Sequence, residues 1–311
     1  MTTPAAMPGV EMPFAVESAV FEGEGDFCRA YTVNGDWIFR FAYNEEGSIA
    51  MQREIGLLPK LAPVVSLPIP EIVYSGQQDN GLYYVGYRKI EGVPLSRDFY
   101  QGLSAEEQEN CAREIALFLR SLHWFDLVEA QGPGVPESDY AFCRTEDGIQ
   151  QGRAADIYAS EGDRIAKHPL LDQYLDSQVA SALRMYVGVL VKSLLNETQL
   201  GELPPVLVHG DLSGEHILFD VEARRIAGII DFSDAIITTP LLDFAYLWGV
   251  YGPEFSALLF KHYEVDAPHL IIYRVRLLHQ WHTALRLLWA LDHDYPQGIH
   301  RWSSALMYQS I

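Results

Sequence analysis

Residues 208–232 read VHGDLSGEHILFDVEARRIAGIIDF and are the most informative segment of the chain. Short apolar runs predict buried strands at 206–208, 217–219 and 226–230. Asp211, His216 and Asp231 are then expected at strand ends. Because an acidic group is costly to bury at such a position, these residues indicate a functional site.

Two of these side chains have the spacing that phosphoryl transfer requires. That reaction needs one carboxylate to accept the proton of the nucleophile and a second one to hold magnesium against a triphosphate. Asp211 and Asp231 flank a predicted hairpin of about twenty residues. Because a hairpin returns the chain beside its starting point, both carboxylates are expected to face one site.

The first 90 residues predict a small sheet that carries one helix. Strands are predicted at 14–21, 27–33, 37–41, 72–74 and 83–87. Asn34-Gly35 is a strong signal for a tight hairpin between the second and third strands. Apolar spacing predicts a helix over 48–61, which ends before Pro63.

The rest of the chain has mostly helical spacing. Ser104 and Glu107 form a capping box at the start of one helix. Its apolar face consists of Cys111, Ile115, Phe118, Leu119 and Leu122. The polar stretch 131–167 is expected to be loop plus short helices, a long helix is predicted over 177–196, and helical spacing returns at Leu241.

The chain is expected to divide into a β-rich part, 1–90, and a mostly helical part, 91–311, with a hinge at 88–92. Its 311 residues are 49% hydrophobic and 21% charged, which is ordinary globular composition. This length suits two lobes of one catalytic unit.

The composition also restricts the possible binding partners and the cellular location of the protein. The first residues lack the pattern of a signal peptide, and no run of about 18 apolar residues occurs, so no membrane span is expected. Cys28, Cys111 and Cys143 are odd in number and widely spaced, which fits a reducing cytoplasm. A formal net charge of −20 repels nucleic acid and anionic membranes and attracts cationic ligands. This charge either serves solubility alone or includes carboxylates that line a pocket for a polyamine-like substrate.

HGDLSGEH, at 209–216, resembles the H-G-D-x-x-x-x-N catalytic loop of the aminoglycoside phosphotransferase and choline kinase family. It is also similar to the H-R-D-x-x-x-x-N loop of protein kinases. GIIDF, at 228–232, resembles the metal-binding D-F-G segment. The resemblance covers about residues 14–290. It implies an α+β, protein-kinase-like bilobal fold, with a small β-rich N-lobe that contains one main helix and a larger, mostly helical C-lobe.

The resemblance implies roles for the catalytic segment. Asp211 would be the catalytic base, or would orient the acceptor hydroxyl, and Asp231 would bind the Mg²⁺ that bridges the β- and γ-phosphates. His216 stands where most relatives have a metal-binding asparagine, and certain 2″-aminoglycoside and macrolide phosphotransferases share this histidine. It is expected to be a metal ligand or a hydrogen-bonded brace. His209 is expected to be structural, and Asp243 to brace the catalytic loop or cap a helix.

The amino-terminal part resembles the nucleotide-binding half of the same family. Gly23 and Gly25 would form a loop whose backbone N–H groups approach the phosphates. Arg40 occupies the position of the phosphate-binding lysine of protein kinases, and Glu54 would pair with it. The alternatives are an ordinary hairpin turn for the two glycines and unpaired surface side chains for Arg40 and Glu54.

YVGYRKIEGVPL, at 84–95, resembles the family's hinge. The backbone of Arg88, Lys89 and Ile90 would bind the purine edge of ATP or GTP. Tyr87 would occupy the gatekeeper position, where a bulky aromatic side chain resembles members that favour GTP. Ordinary strand packing is the alternative for Tyr87.

The acceptor is expected to be a small, cationic, aminoglycoside-like molecule. Trp281 and Trp289 are eight residues apart and would stack on sugar rings, with Asp292 and Asp294 nearby. Core tryptophans and a solvated helix end are the alternative. A macrolide, choline, homoserine or another metabolite would keep the chemistry and change the acceptor, and a nucleotide-binding protein without catalysis is a third interpretation.

Overall fold

The computed structural model describes residues 8, 10, 14–25, 27–138, 144, 145, 148, 149, 153–199, 203–265 and 268–308. Cys143, one of the three cysteines considered above, lies outside them. The chain divides into two compact units. Unit 1 comprises Met1–Pro136, Val206–Ile237 and Ala257–Glu264, and unit 2 comprises Glu137–Pro205, Thr238–Ser256 and Val265–Ile311. The lobe boundary expected at residue 90 stays a prediction.

Unit 1 contains a five-stranded antiparallel sheet with the strand order β1-β2-β3-β5-β4. Its strands are β1 (Ala19–Glu24), β2 (Cys28–Val33), β3 (Trp37–Ala42), β4 (Ile72–Gln77) and β5 (Tyr83–Arg88). The hairpin predicted at Asn34-Gly35 is confirmed, because both residues have positive φ, 52° and 77°, as the tightest hairpin turns require.

The first strand begins later than the sequence predicts, at Ala19 rather than Phe14. The reason is the side chain of Asn34. Its Oδ1 accepts hydrogen bonds from the backbone N–H groups of Glu17 and Ser18, and its Nδ2 donates to the carbonyl of Ala15. These contacts occupy backbone groups of the segment before β1.

The main helix of the sheet region, α1 (Glu45–Leu61), starts three residues before the predicted position. Asn44 is its N-cap and accepts a hydrogen bond from the N–H of Gly47 at 2.7 Å. Glu45 and Glu46 lie in the first turn, where acidic side chains interact favourably with the helix dipole.

The remaining helices at the start of the chain are α2 (Arg97–Gln101), α3 (Ala105–His123) and α4 (Leu127–Gln131), preceded by the short strand β6 (Val93–Pro94). The capping box of Ser104 and Glu107 is present. The predicted apolar face of α3 is buried in full. A capping signal next to a periodic apolar face therefore predicted this helix correctly.

Unit 2 is mostly helical. It contains the short strands β7 (Arg144–Thr145) and β8 (Gly148–Ile149) and the helices α5 (Ala154–Lys167), α6 (Leu170–Tyr174) and α7 (Ser177–Gln199). The 14-residue helix α5 is longer than the short helices expected for this stretch. Its buried side, which includes Ile157, Tyr158 and Ile165, shows the apolar spacing of a core helix.

The predicted strands around the segment 208–232 are present as β9 (Val206–Val208), β10 (Ile217–Asp220) and β11 (Arg225–Ile229), and β12 (Ile236–Thr238) follows. β11, β10 and β6 form a three-stranded sheet. The chain ends with α8 (Leu241–Tyr263), α9 (Pro268–Asp292) and α10 (Pro296–Tyr308). Gly252, with φ 85°, and Pro253 interrupt α8.

Within the described residues, one segment, Ser177–Glu197 of α7, is long and apolar enough to cross a membrane by length and composition. Its mean hydropathy is 1.2, and 28% of that window is buried. The core helices of soluble proteins pass the same test, so one such helix is weak evidence for a membrane span.

Candidate active site

Asp211, His216 and Asp231 lie together in unit 1. Nδ1 of His216 is 3.5 Å from Oδ2 of Asp211, and Nε2 is 3.8 Å from Oδ2 of Asp231. The antiparallel pairing of β10 with β11 produces this proximity, because it brings Ile217 opposite Ile229. The hairpin predicted from sequence therefore brings both carboxylates to one site. Each is about one third exposed, at 35% and 36%.

His216 is fixed in one tautomer. Its Nδ1 lies 2.7 Å from the backbone carbonyl of Asp211. Because a carbonyl only accepts, Nδ1–H is the donor. In the neutral ring, Nε2 then carries the lone pair, and this atom faces Asp231. The bond braces the catalytic loop and orients the ring, so the brace and the metal ligand are compatible roles.

His209 is fully buried and holds the loop from below. Its Nε2–H donates to the carbonyl of Ile230 at 3.0 Å, so that Nδ1 accepts from the N–H of Asp211. Its ring also packs on Phe232, with centroids 4.7 Å apart. These contacts fit the structural role expected for His209.

Gly210 lies between His209 and Asp211 and makes the conformation of the catalytic loop possible. Its φ of 86° is left-handed, and a Cβ atom there would lie 2.1 Å from the carbonyl oxygen of Asp234. Only glycine combines this conformation with so close an approach of two backbone segments.

Asp231 has a φ of 65°, which is unusual for a residue other than glycine. Such backbone conformations concentrate at functional sites. The hydroxyl of Ser233 donates to Oδ1 of Asp231 at 2.7 Å. Burial acts to raise the pKa of Asp231, but the positive charge of Arg40 and this hydrogen bond outweigh burial and hold the pKa well below its usual range. The side chain is therefore an anion at neutral pH.

Arg40, on β3, is held by three side chains. Nη1 donates to both carboxylate oxygens of Glu54, at 3.1 and 2.8 Å, Nη2 donates to Asp231 at 3.0 Å, and Nε donates to the sulfur of Cys28 at 3.4 Å. The expected pair of Arg40 and Glu54 is thus present, and both side chains are buried. The guanidinium fork is fixed at the metal-binding carboxylate that the sequence predicts.

The charges of this cluster depend on one another. Burial acts against the charge of Arg40, but Asp231 and Glu54 raise its pKa well above the usual value. Burial raises the pKa of Glu54 to about 7, although Arg40 opposes this shift. Arg40 is accordingly the fixed positive charge of the site.

Cys28 and Ser233 contact the site, and the sequence interpretation did not include either one in it. Burial raises the pKa of the Cys28 thiol, so it remains neutral. Ser233 follows Asp231 by two residues, a spacing at which serine often bonds to a nearby carboxylate or backbone group. That local signal could have identified Ser233, whereas no local signal connects Cys28 with Arg40.

Gly23 pairs with Ala30 next to a register shift in β1, and Gly25 lies just beyond that strand. A Cβ atom at either position would meet nothing within 4 Å. The space above both residues is open, so neither glycine is required by protein packing. The N–H of Gly25 donates to the carbonyl of Cys28 at 3.1 Å, as in a hairpin turn, and the phosphate-binding role of both glycines stays a prediction.

One backbone N–H of the predicted hinge already donates a hydrogen bond within the protein. The N–H of Lys89 donates to the carbonyl of Asp36 at 2.9 Å, so it does not face a purine in this conformation. The N–H of Ile90 donates to no acceptor among the described residues. Arg88 pairs with Asp36 and stacks over Trp37, 4.4 Å from its ring centroid.

Tyr87 is buried at 5% exposure in a cluster with Ala42, Met51 and Val85. Burial raises the pKa of its phenol well above the usual value. Strand packing is thus part of its role, and the gatekeeper role stays a prediction.

The two tryptophans singled out in the sequence differ in environment. Trp281 is fully buried, while Trp289 is 54% exposed. Stacking of Trp281 on a sugar is therefore wrong, because its ring packs against Tyr158 inside unit 2. Asp292 pairs with Arg164 at 2.8 Å, and Asp294 accepts a hydrogen bond from Tyr174 at 2.6 Å.

Asp243 lies in the first turn of α8 and is fully buried. A carboxylate at a helix N-terminus interacts favourably with the dipole. Its expected contact with the catalytic loop stays a prediction.

The donor set of the site fits one Mg²⁺ at Asp231. Mg²⁺ is usually held by one or two carboxylates together with phosphate oxygens and water. Among the described residues, no group of three or more His, Cys, Asp or Glu side chains is placed to hold a metal. A metal at Asp231 and His216 would therefore take its other ligands from the nucleotide and solvent.

The fold and the arrangement of these residues place the chain among proteins with a protein-kinase-like fold. Similar structures span nearly the whole chain. The GDP and kanamycin complex of APH(2″)-IIIa has a TM-score of 0.82 and 28% identity, and the match covers 96% of this chain and 94% of that one. A structure of macrolide 2′-phosphotransferase type I has a TM-score of 0.64 and 21% identity, with 94% and 91% covered, and shows a common fold.

The chain belongs to the phosphotransferase enzyme family, APH, whose model matches residues 23–293. This family transfers phosphoryl groups to hydroxyl acceptors, and the protein is accordingly a phosphotransferase with an alcohol group as acceptor. A curated relative, the uncharacterized protein YcbJ of Bacillus subtilis strain 168, is 34% identical over 58 residues. That match covers 19% of this chain and spans about a fifth of the relative's length, 19%.

Proposed function

We propose that this protein transfers the γ-phosphoryl group of ATP or GTP to a hydroxyl group of a cationic, aminoglycoside-like antibiotic, in the cytoplasm and with Mg²⁺. The observation that carries the proposal is the convergence of Asp211, His216 and Asp231 with Arg40 in unit 1. This set contains a base, a metal-binding carboxylate and a fixed cation, which are the groups that phosphoryl transfer requires.

Asp211 would act on the acceptor. Its carboxylate is about one third exposed, and its backbone is held on both sides, by His209 at the N–H and by His216 at the carbonyl. A base that is fixed in position and open to solvent can accept the proton of a hydroxyl group as the new P–O bond forms. Orientation of that hydroxyl is the larger part of its contribution.

Arg40, Asp231 and His216 would act on the nucleotide. Bound Mg²⁺ would neutralise charge on the β- and γ-phosphates. Asp231 and His216 would hold that ion. Arg40, whose fork already donates to Glu54 and Asp231, would donate to a phosphate oxygen with the remaining N–H of Nη2. Glu54 and Cys28 keep this fork in place.

The donor site would use the first lobe, residues 1–90. Gly23 and Gly25 would let the backbone approach the phosphates closely. The backbone of the hinge, Arg88, Lys89 and Ile90, would bind the base beside Tyr87, with Ile90 rather than Lys89 as the N–H donor, since the N–H of Lys89 donates to Asp36. The second lobe, residues 91–311, would carry the catalytic loop, the metal site and the acceptor pocket. The similar APH(2″)-IIIa structure contains GDP and supports a guanine nucleotide as donor.

An aminoglycoside is the first candidate acceptor. The similar APH(2″)-IIIa complex contains kanamycin, and the net charge of −20 favours a cationic substrate. A macrolide is the second candidate, since the fold is shared with a macrolide 2′-phosphotransferase.

The test is phosphoryl transfer from GTP and from ATP, with Mg²⁺, to kanamycin and to a macrolide. The parent chain is expected to phosphorylate kanamycin. Asp211→Asn should lower kcat by at least about 100-fold, which is the usual contribution of a positioned base, and leave nucleotide affinity nearly unchanged.

Asp220→Asn is the matched control. Asp220 lies in the same hairpin, where its side chain accepts hydrogen bonds from the N–H groups of Glu222 and Ala223, and asparagine retains that capacity. Its activity should equal that of the parent. Equal turnover in the parent and Asp211→Asn would contradict the role of Asp211. If the macrolide is phosphorylated and kanamycin is not, the proposed acceptor is a macrolide and not an aminoglycoside.

A further inference from the structure

Unit 2 contains a cavity to which the proposed phosphoryl transfer assigns no role. Its volume is about 130 Å³, and α5, α7, α9 and the segment after β12 line it. Five of its fourteen lining residues are leucines, among them Leu194, Leu277 and Leu278, which are at most 7% exposed. An apolar cavity of about 150 Å³ holds a benzene ring. The cavity therefore has the size and the lining for one small ring.

Charge is concentrated on one side of this cavity. Arg274 donates from Nε to Oε2 of Glu197 at 2.8 Å, and both side chains are more than four-fifths buried, with 18% and 17% exposed. Among the described residues, Oε1 of Glu197 accepts no hydrogen bond. A carboxylate has room for about four. Glu137 also lines the cavity, so its lining includes two carboxylates and one guanidinium.

A second polar group on the wall lacks a partner. Thr238 is 2% exposed, and within the described chain its hydroxyl oxygen has no hydrogen-bond partner. Buried polar groups without partners are rare in folded proteins and require an explanation. That oxygen is itself buried, so a ligand in the cavity would not reach it, and the proposal does not rest on it.

We propose that this cavity binds a small organic cation that consists of one ring-sized apolar body and one ammonium group. The apolar body would pack on Leu194, Leu277 and Leu278. The ammonium would donate to Oε1 of Glu197, and the aromatic face of Tyr158, which also lines the cavity, would favour the positive charge. All the residues involved lie in unit 2, so the proposal does not depend on the proposed reaction.

Three ring compounds of nearly equal size test this proposal: benzylamine, benzyl alcohol and benzoate. Their affinities for the full chain at pH 7.5 would be measured by calorimetry and by ligand-observed NMR. Benzylamine is expected to bind about tenfold more tightly than benzyl alcohol, because a charge-assisted hydrogen bond is the stronger one, and benzoate should bind most weakly. Equal affinities, the reverse order, or no binding of benzylamine would overturn the proposal.

Two substitutions locate the site. Glu197→Gln keeps an acceptor for Arg274 and removes the charge, so benzylamine should lose about tenfold in affinity while benzoate gains. Leu277→Trp should fill the cavity and abolish binding. Leu270→Trp, on the exposed side of the same helix at 55% exposure, is the matched control and should bind like the parent. Unchanged binding in Glu197→Gln would overturn the proposal even if Leu277→Trp does not fold.

Discussion

Replacement of Gly210 by alanine is expected to disable the catalytic loop through two separable effects. The first is backbone strain, because Gly210 has a left-handed φ of 86°, and an L-residue there costs about 1–2 kcal/mol. The second is a clash, since the new Cβ would lie 2.1 Å from the carbonyl oxygen of Asp234, whereas real Cβ atoms keep at least 3.0 Å. One backbone segment must therefore move by roughly 1 Å, a shift that well-packed interiors resist.

Both magnitudes follow from this geometry. Overpacking of this kind costs about 1–3 kcal/mol, so strain and clash together should lower the free energy of unfolding by about 2–5 kcal/mol. The shift also moves the backbone next to Asp211. A misplacement of about 1 Å can cost about 100-fold in rate. Urea unfolding and phosphoryl transfer would measure the two effects separately.

Two other glycines are matched controls. Gly81 has φ 84° with nothing within 4 Å of its Cβ position, so Gly81→Ala reports strain alone. Gly188 lies in α7 with open space and an ordinary φ, so Gly188→Ala should stabilise the helix by about 1 kcal/mol. If Gly210→Ala matches Gly81→Ala in stability and the parent in turnover, the steric reasoning is refuted.

Three further predictions concern charge, nucleotide choice and packing. The pKa of Asp231 is lower in the folded protein than its unfolded value of about 4, so ionised Asp231 stabilises the fold above pH 4, and this stabilisation is lost as the pH falls below 4. In urea unfolding, the free energy of unfolding of Asp231→Asn should therefore fall less at acid pH than that of the parent. Tyr87→Leu should raise kcat/KM for ATP relative to GTP by at least about tenfold, while Tyr83→Leu in the same strand should not; an unchanged ratio would remove Tyr87 as gatekeeper. Trp281→Ala should lose about 3–5 kcal/mol and Trp289→Ala less than about 1 kcal/mol by thermal unfolding, and equal losses would contradict their different burial.

Local sequence signals predicted much of the fold. The Asn34-Gly35 turn, the capping box at Ser104 and the strands around the catalytic segment depend on residues within a few positions of one another. Errors arose where a distant side chain intervenes. Asn34 binds the backbone at residues 15–18 and so delays the first strand, and no pattern within that strand reveals the contact.

The burial of the two tryptophans shows the same difference. Their spacing of eight residues places Trp281 and Trp289 on roughly one face of a helix. Yet Leu288 and Ala290, the neighbours of Trp289 in α9, are buried, so the helix is covered at this level and Trp289 lies outside the covered face. Helical periodicity gives the face of a side chain, whereas its neighbours decide whether that face is covered.

Motifs read along the chain identified the two aspartates of the catalytic segment and the family resemblance, and that resemblance implied the pairing of Arg40 with Glu54. Only the tertiary structure decided that Arg40 also contacts Asp231, 191 positions away, and the sulfur of Cys28. It also placed Glu197 on the wall of a cavity, where its Oε1 accepts no hydrogen bond from the part of the chain that the structure describes. The physical reason is that hydrogen bonds and packing act over a few ångströms in space, and local sequence patterns do not encode which distant residues come within that range.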